Sequence, residues 1–363
     1  MILLFNEDNT NYKDYKIPVS VIIPYYNEDF KLLKKSILSV NNSQGEKEII
    51  VIDDGSTDKT IYNNLLILQK EVSFKLIRYE KNKGKRHAQV IGFKEAKYPI
   101  IVTIDSDTII NKDSILEIIK PLQDSSVGAV TGNIKLLNEK KNFLTKMIST
   151  TYWMGLDINK QGLSNQGIVI CCSGCLSAYR KRDLEKHYNE YLNQKFLGEK
   201  CTYGDDRHLT NLIIKDGFKT KYVSTAMSYT ESPDTLKKYL KQQKRWKQSF
   251  WRENIYALKN CTKNKLFIFE IYMNMLIIFL AFGVRVATVY FLINSIIYAN
   301  YYYFPYLLST IFLFTGTKNI YLFIKDFKKA IYLFPFALFY DFVLYWLNFI
   351  AIFTLKTKNW GTR

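Results

Sequence analysis

Short runs of β-branched and aliphatic residues alternate with helical stretches from Pro18 to about Gly217. The runs are "VSVIIPYY", "EIIVIDDGSTD", "FKLIRYE" and "IIVTIDSD", and patterns of about ten residues, such as Phe30 to Val40 and Lys85 to Ala96, separate them. Continuous apolar strands joined by helices are typical of a parallel sheet that is covered on both faces. We therefore expect a Rossmann-like α/β domain over residues 18–230, after an N-terminal tail of residues 1–17.

Polar and acidic side chains follow three of these strands directly. The three segments are Tyr26-Asn27-Glu28, Asp53-Asp54-Gly55-Ser56 and Asp105-Ser106-Asp107. Ligands of such sheets bind beyond the carboxyl ends of the strands. The chain has neither a G-x-G-x-x-G nor a G-K-[ST] loop, so we expect a divalent cation, Mg²⁺ or Mn²⁺, to hold the phosphates of a nucleotide. The alternative is that Asp105 and Asp107 are a pair of turn-forming residues.

A second acidic motif, "CTYGDDRHLT", contains Asp205 and Asp206. A carboxylate beside a cation-bound diphosphate that does not ligate the cation is suited to take a proton from an attacking hydroxyl. The alternative is an N-terminal helix cap, and Asp206 is able to serve both purposes.

The segment "KQQKRW" places Gln242, Arg245 and Trp246 at positions i, i+3 and i+4, on one face of a helix. An amide, a guanidinium and an indole together suit a sugar ring and a diphosphate. The alternative is an amphipathic interfacial helix, within residues 231–265, with Trp246 as its membrane anchor.

From residue 266 to 355 the chain is mostly apolar, and three stretches are long enough to cross a bilayer: Ile271 to Ile297, Tyr301 to Phe323 and Ala330 to Leu355. The loop "IKDFKK" and the tail "KTKNWGTR" are both basic, so both are predicted to be cytosolic. The third stretch then begins and ends on one side, and Pro335 and Asp341 interrupt it. We predict two spans followed by an interfacial or re-entrant helix, the alternative being a third crossing with the tail outside.

The balance of 51 Lys+Arg against 33 Asp+Glu gives a net charge of +18 in 363 residues. The basic residues are spread along the chain and cluster mildly at apolar boundaries, which favours an anionic membrane surface over nucleic acid. No secretory signal pattern opens the chain, so we expect a protein integral to the plasma membrane or a host membrane, with its N-terminus and α/β domain in the cytosol. The five cysteines, three of them in "CCSGC", are expected to be reduced thiols.

Taken together, the motifs at Asp53, Asp105-x-Asp107, Gly204-Asp205-Asp206-Arg207 and Gln242-x-x-Arg245-Trp246 resemble the family 2 inverting glycosyltransferases that synthesise polysaccharides. The likeness covers about Pro18 to Arg252, with apolar helices following in the expected place. It implies a GT-A fold. Within the family, "CTYGDDRHLT", "QQKRW" and the closing "WGTR" look most like hyaluronan synthases, with the nodulation-type chitin oligosaccharide synthases close behind.

This resemblance implies roles for individual residues. Asp206 would be the general base and Asp107 the metal ligand. The nucleotide-sugar site would comprise Tyr26, Glu28, Asp53, Lys85, Arg86 and Asp105, with Asp53 on the uridine and Lys85 and Arg86 on the phosphates. The acceptor and diphosphate site would comprise Cys175, Asp205, Arg207, Gln242, Arg245, Trp246, Trp360 and Arg363. Trp360 and Arg363, in residues 356–363, would belong to a gating loop over the nucleotide sugar. Cys175 stands where the family has a proline.

The resemblance also leaves three functions open. The first is a processive synthase using UDP-GlcNAc and UDP-GlcA on a growing glycan, and the second is a chitin-type or single-addition transferase. The third is a nucleotide- or nucleic-acid-binding membrane protein without catalysis. The family usually has two membrane helices before the catalytic domain, and this sequence shows none there. The alternatives are a natural short form, a fragment, and a subunit that needs a partner subunit or a second copy of the chain to complete a polymer channel.

Overall fold

A computed structural model describes residues 12, 14–299, 301 and 303–356. Its main sheet has eight strands in the order β3-β2-β1-β4-β7-β6-β10-β5. The strands are β1 (Val19–Tyr25), β2 (Lys47–Asp53), β3 (Lys75–Arg78), β4 (Ile100–Thr103), β5 (Ile109–Ile110), β6 (Val127–Leu136), β7 (Ser177–Arg180), and β10 (Lys219–Thr230); β8 (Lys195–Phe196) and β9 (Glu199–Lys200) form a separate hairpin.

The first four strands are parallel, as the alternating pattern predicted. β7 runs antiparallel to both β4 and β6, while β10 runs parallel to β6. The sheet is therefore mixed, and the Rossmann-like α/β prediction is confirmed for the half that carries the predicted site.

Helices cover both faces of the sheet. Those of the α/β unit are α1 (Phe30–Asn41), α2 (Lys59–Leu68), α3 (Lys85–Glu95), α4 (Ser114–Ile119), α5 (Phe143–Met154), α6 (Gln161–Asn165), α7 (Lys181–Glu185), α8 (Tyr188–Asn193) and α9 (Asp205–Lys215), with a π-helical segment (Gly155–Lys160) joining α5 to α6. Asp29 caps α1 by accepting hydrogen bonds from the amides of Lys31 and Leu32.

Successive residues of a strand point to opposite faces, and β1 shows the consequence. Val21 packs with α1 and α2 in one buried cluster, whereas Ile22 packs with α3 and α9 in the other. Burial on both faces explains why the strands read as continuous apolar runs.

The last strand of the sheet, β10, ends at Thr230, and the predicted domain boundary at residue 230 stays a prediction. The remaining helices are α10 (Leu236–Asn260), α11 (Lys265–Ile297), α12 (Tyr303–Lys318), α13 (Ile320–Lys325), α14 (Phe327–Ala330), α15 (Leu333–Phe339) and α16 (Leu347–Phe353), with a π-helical segment (Tyr340–Leu344) between the last two.

Two helical segments are long and apolar enough to cross a membrane, Lys265–Ile297 and Phe327–Phe353. The first covers the predicted span Ile271 to Ile297, whereas the second covers most of the stretch predicted to be interfacial or re-entrant, so the assignment of the spans stays a prediction. The predicted span Tyr301 to Phe323 is divided at Asn319 into α12 and α13, and neither part alone reaches the length of a bilayer core.

The segment Phe327–Phe353 contacts the α/β unit near its start and α10 just past its end. Near its start, the Thr150 hydroxyl donates to the carbonyl of Lys329 at 3.2 Å. Just past its end, the Gln248 side-chain amide donates to the carbonyl of Thr354 at 2.8 Å. Both ends of the stretch therefore have partners outside the membrane region, and the expectation that it begins and ends on one side of a membrane stays a prediction. Inside the segment, Asp341 pairs with Arg285 of α11, so the acid that interrupts the apolar stretch has a cationic partner.

Candidate active site

The carboxyl ends of β1, β2 and β4 meet at one edge of the sheet, as predicted. Asn27, after β1, accepts a hydrogen bond from the backbone amide of Thr57 at 2.9 Å. Glu28 accepts one from the hydroxyl of Ser106, after β4, at 2.6 Å. Side-chain hydrogen bonds therefore tie the predicted segments to one another.

Asp53 ends β2 and is fully buried. Its Oδ1 accepts a hydrogen bond from the Ser56 amide at 2.8 Å, and its Oδ2 lies 3.6 Å from Nε of Arg78. Burial and the neighbouring Asp53 charge raise the pKa of the Tyr25 hydroxyl. The carboxylate is thus fixed at the base of the edge, and its contact with a nucleoside stays a prediction.

Asp54 is a site residue to which the sequence analysis gave no role. Its carboxylate accepts hydrogen bonds from Asn82 Nδ2 and from the backbone amides of Lys83 and Gly84, at 2.8 to 3.0 Å. Burial raises the pKa of Asp54, and the two backbone hydrogen bonds oppose that rise. Asp54 therefore holds the turn from which α3 and Lys85 begin. The sequence does contain a signal for this residue, since Asp54 is a second acid directly after a predicted strand.

Lys85 is the centre of the site. Its ammonium nitrogen lies 2.6 Å from Oδ1 of Asp105 and 2.9 Å from Oδ2 of Asp205. Burial opposes the charge of Lys85, but attraction to these two carboxylates outweighs it and raises the lysine pKa. One cation thus joins the strand-end acids to the second acidic motif, a hundred residues farther along the chain.

Arg86 points elsewhere. It is buried, and its guanidinium donates to the backbone carbonyls of Tyr191 at 3.1 Å and Tyr203 at 3.4 Å. The structure therefore places Arg86 behind the loop that leads into α9, while its predicted contact with the nucleotide phosphates stays a prediction.

The "CCSGC" loop lies against Lys85 and Asp105. A Cβ atom added to Gly174 would lie 3.0 Å from the Asp105 carboxylate oxygens and 3.1 Å from the Lys85 nitrogen, so a glycine leaves this space open. All five cysteines are free thiols. Burial, followed by the charges of Asp105 and Asp107, raises the pKa of Cys175, which keeps that thiol protonated beside the acids.

Asp206 lies in the first turn of α9. The N-cap of α9 is Gly204, in the left-handed conformation with φ of 81°, so the alternative that Asp206 is the cap does not hold. Burial and the adjacent Asp205 charge raise the pKa of Asp206, whereas burial of Asp205 is outweighed by Lys85, which lowers the pKa of that residue. Of the two neighbouring carboxylates, Asp206 is the more basic.

α10 brings Gln242, Arg245 and Trp246 to the same region. The charges of Asp205, Asp206 and Asp105 act on Arg245 and partly offset the lowering of its pKa by burial. The side-chain oxygen of Gln242 is buried without a hydrogen-bond donor among the described residues. Trp246 is 42% exposed, and its ring centroid lies 6.3 Å from that of Tyr152.

Tyr152 also lines a cavity of about 530 Å³ between the sheet and Tyr321 to Lys329, with Asn133, Ser149 and Gln161 on its walls. This volume is within the range of small-molecule sites, and its amide and hydroxyl groups suit a polar ligand. The sequence analysis did not identify this cavity.

Arg207 lies between α9 and α10. Its guanidinium donates to Oδ1 of Asn254 at 2.7 Å and lies 5.1 Å from the ring centroid of Phe250. Its predicted place in the acceptor and diphosphate site stays a prediction.

The residues that could hold a divalent cation are Asp105 and Asp107. The hydroxyls of Thr108 and Thr230 lie 3.5 Å from Oδ1 of Asp107. Among residues 12, 14–299, 301 and 303–356, no group of three or more His, Cys, Asp or Glu side chains forms a metal cluster. Two carboxylates at a strand end fit a hard cation that takes its other ligands from a diphosphate and water.

Trp360 and Arg363, the predicted gating residues, lie outside the described residues. The chain leading to them leaves α16 at Thr354, beside Gln248 of α10. The hydroxyl of Tyr203, just before Gly204, donates to the same Gln248 at 2.8 Å.

Comparison with known proteins identifies the chain. The family model described as "Glycosyl transferase family 2" matches residues 20–188. A hyaluronan synthase of Streptococcus pyogenes serotype M3 is 34% identical over 99% of this chain and 86% of its own length. The chain belongs to glycosyltransferase family 2. The predicted family and enzyme class are thereby confirmed.

Other relatives of this glycosyltransferase are similar over about two-thirds of the chain. An N-acetylglucosaminyltransferase of Azorhizobium caulinodans is 36% identical over 66% of the chain and 62% of its own length. Among solved structures, a Pyrobaculum calidifontis mannosyltransferase in complex with GDP-Man and Mn²⁺ is 20% identical, with a TM-score of 0.52 over 68% of this chain and 65% of its own. At that identity the likeness supports the fold, here the GT-A fold.

Proposed function

We propose that this glycosyltransferase is a membrane-bound, inverting, processive synthase that makes a β-linked polysaccharide from UDP-GlcNAc and UDP-GlcA. The observation that carries the proposal is Lys85, which pairs with Asp105 of the donor edge and with Asp205, the neighbour of Asp206. This pairing supports the proposal, because it joins the edge that would bind the nucleotide to the acidic motif that contains the proposed base. The full-length likeness to hyaluronan synthases supports the choice of product.

The donor half of the site would bind the UDP-sugar. Asp53, with Tyr26 and Glu28 nearby, would contact the nucleoside, and Lys85 would balance phosphate charge. Asp105 and Asp107 fit a divalent cation, Mg²⁺ or Mn²⁺, which when bound supplies positive charge to the diphosphate as it leaves. Arg86 would act by fixing the loop before Asp205, since its donors bond to backbone carbonyls.

The acceptor half would carry out the displacement. The acceptor hydroxyl oxygen forms a bond to the anomeric carbon, the bond from that carbon to the UDP oxygen breaks, and the hydroxyl proton passes to Asp206. Attack from the face opposite the leaving group converts an α-linked donor into a β-linked product. A carboxylate whose pKa is raised by burial and by Asp205 is better suited to accept that proton than an ordinary aspartate.

Gln242, Arg245 and Trp246 would hold the acceptor sugar and the diphosphate. The buried side-chain oxygen of Gln242 is available to a sugar hydroxyl, and the exposed indole of Trp246 offers a stacking face. The cavity beside Tyr152 would hold sugars already added, as a growing glycan requires.

The membrane region would keep the α/β unit on the cytosolic side. Lys265–Ile297 would cross outward, α12 and α13 would return, and Phe327–Phe353 would lie at the interface, because both ends of that segment contact the α/β unit or α10. The tail, with Trp360 and Arg363, would then start beside the nucleotide-sugar site. A second copy or a partner subunit would complete the polymer channel.

A chitin-type transferase using UDP-GlcNAc alone is the second candidate, favoured by the similarity to the Azorhizobium N-acetylglucosaminyltransferase. UDP release by the detergent-purified protein distinguishes the two. The assay uses Mn²⁺ with UDP-GlcNAc, UDP-GlcA or both, and Asp206→Asn as the control. Release that requires both donors supports the first proposal, release with UDP-GlcNAc alone supports the second, and no release above the Asp206→Asn background contradicts both.

A further inference from the structure

Three consecutive polar residues of α10, Arg252, Glu253 and Asn254, are buried against α9 and the loop before it. Their residue exposures are 2%, 0% and 0%. None belongs to the Gln-x-x-Arg-Trp motif. Burying polar and charged groups carries a desolvation penalty, so a row of three such residues at a helix contact calls for an explanation.

Each of the three reaches a different part of the segment around Asp205 and Asp206. Arg252 donates to the carbonyl of Tyr203 at 3.0 Å. Asn254 accepts from Arg207 at 2.7 Å. The backbone before the two aspartates and the side chain that follows them are therefore both bonded to α10.

Glu253 makes the most contacts of the three. Its Oε2 accepts from Nδ1 of His208 at 2.9 Å and from Asn211 at 3.1 Å, and its Oε1 accepts from Gln194 at 2.7 Å. His208 must carry its proton on Nδ1 to make the first bond. Both partners of the His208–Glu253 pair have fully buried side chains.

His208 is held by aromatic rings as well. Its ring stacks at 6.0 Å on Tyr191 and meets Tyr256 edge-on at 4.8 Å, measured between ring centroids. Tyr256 also lies on α10. The contact between α9 and α10 at His208 therefore combines directional hydrogen bonds with ring contacts.

We propose that Arg252, Glu253 and Asn254 form a positioning clamp, which fixes α10 relative to α9 so that Arg245 and Gln242 face Asp206. Glu253 is the central positioning residue, and this inference rests on the proposed transferase function. Arg245 and Glu253 are eight residues apart on one helix, roughly 12 Å. A rotation of α10 by a single residue position would turn the acceptor-binding face by about 100°. Apolar packing tolerates such adjustments, whereas a set of directional hydrogen bonds does not.

The clamp is tested with Glu253→Ala and with Glu253→Gln. The second substitution keeps the shape of the side chain, and a rotated Gln194 amide accepts a hydrogen bond from the new side-chain amide in place of the one that it donates to Glu253. The control is Arg180→Lys. Arg180 is also buried and bonds to the carbonyl of Leu122 at 2.7 Å, but it lies at the opposite edge of the sheet, beside the start of β4.

A misplacement of about 1 Å lowers rates roughly 100-fold. We expect Glu253→Ala to lower kcat for UDP release by about that factor, with the KM for the donor and the affinity for UDP changed less than about threefold. Glu253→Gln should recover most of the loss. Arg180→Lys should lower the Tm while kcat stays at the wild-type value.

Two results would overturn the clamp. One is a folded Glu253→Ala protein with wild-type kcat, and the other is a variant whose kcat, UDP affinity and Tm fall together, which marks a purely structural role. If Glu253→Ala does not fold, Asn254→Ala, which removes one bond to Arg207, carries the same test with a smaller expected loss of about tenfold. Turnover of UDP-sugar by the wild-type protein tests the proposed function. The ratio of the variant kcat to the wild-type kcat tests the clamp.

Discussion

The ammonium nitrogen of Lys85 lies 2.9 Å from the carboxylate of Asp205. Lys85 begins α3 on the proposed donor side, and Asp205 begins α9 on the proposed acceptor side. This pair links the two halves of the proposed site through one half-buried charge. The two neighbouring aspartates also differ in pKa. Burial raises the pKa of Asp205, but the charge of Lys85 outweighs burial and lowers it, whereas the pKa of Asp206 is raised.

The fall of kcat/KM at low pH should depend on the charges of Asp205 and Lys85. A general base acts when deprotonated, so kcat/KM falls as pH drops through the pKa of Asp206. The Asp205 charge raises that pKa and Lys85 lowers it. We therefore expect Asp205→Asn to move the acid limb of kcat/KM to lower pH and Lys85→Met to move it to higher pH, measured by UDP release. Shifts of the same sign in both variants would contradict the assignment.

Gly204 should be sensitive to a side chain for two reasons. It has φ of 81°, and a Cβ atom there would collide with the hydroxyl of Ser249 on α10. Gly198 has φ of 84° but nothing within 4 Å of an added Cβ atom, so Gly198→Ala is a matched control. The left-handed conformation alone destabilises a residue with a side chain by about 1–2 kcal/mol.

We expect Gly204→Ala to lower the Tm in detergent by clearly more than Gly198→Ala, and to lower kcat, because α10 must move away from Asp205 and Asp206. Equal effects of the two substitutions on Tm and on kcat would show that the approach of Ser249 is unimportant.

Gln242 and Trp246 should affect the acceptor more than the donor. The Gln242 side-chain oxygen has no donor among the described residues, and Trp246 is exposed beside Tyr152. Loss of one acceptor hydrogen bond in Gln242→Ala should lower kcat about tenfold, and Trp246→Ala should shorten the product. The KM for the donor should stay unchanged, as steady-state kinetics and gel filtration of the product will check. A raised donor KM with full-length product would place both residues on the donor side.

Much of the fold and part of the site follow from local patterns. Buried strands show as apolar runs, and the convergence of strand ends follows from the geometry of parallel sheets. Hence the sequence predicts Asp53, Asp105 and Asp107 as site residues from their positions after strands, and their roles stay predictions. The antiparallel insertion of β7 was not predicted, because a four-residue strand such as Ser177–Arg180 has too short a pattern.

The missed site residues act through tertiary contacts. Asp54 was visible as an acid after β2, but its bonds to the turn before Lys85 depend on how two loops approach each other. The pairing of His208 with Glu253 joins two helices that are separated in sequence by β10. The pattern of apolar and polar residues within either helix does not predict such a pair.

The membrane region shows a similar limit. Hydropathy identified the apolar stretches, but the division at Asn319 and the contacts at both ends of Phe327–Phe353 depend on tertiary packing. The basic loop and tail predict that this last segment begins and ends on one side of the membrane, and that topology stays a prediction.

The central claim, synthesis of a polysaccharide from UDP-sugars, is tested most directly by the size of the product. The purified protein in detergent is given radiolabelled UDP-GlcNAc with UDP-GlcA and Mn²⁺, and the labelled product is separated by gel filtration. We predict a high-molecular-weight polymer that forms only with both donors and is absent with Asp206→Asn. Labelled product confined to a single added sugar, with both donors present, would contradict the claim.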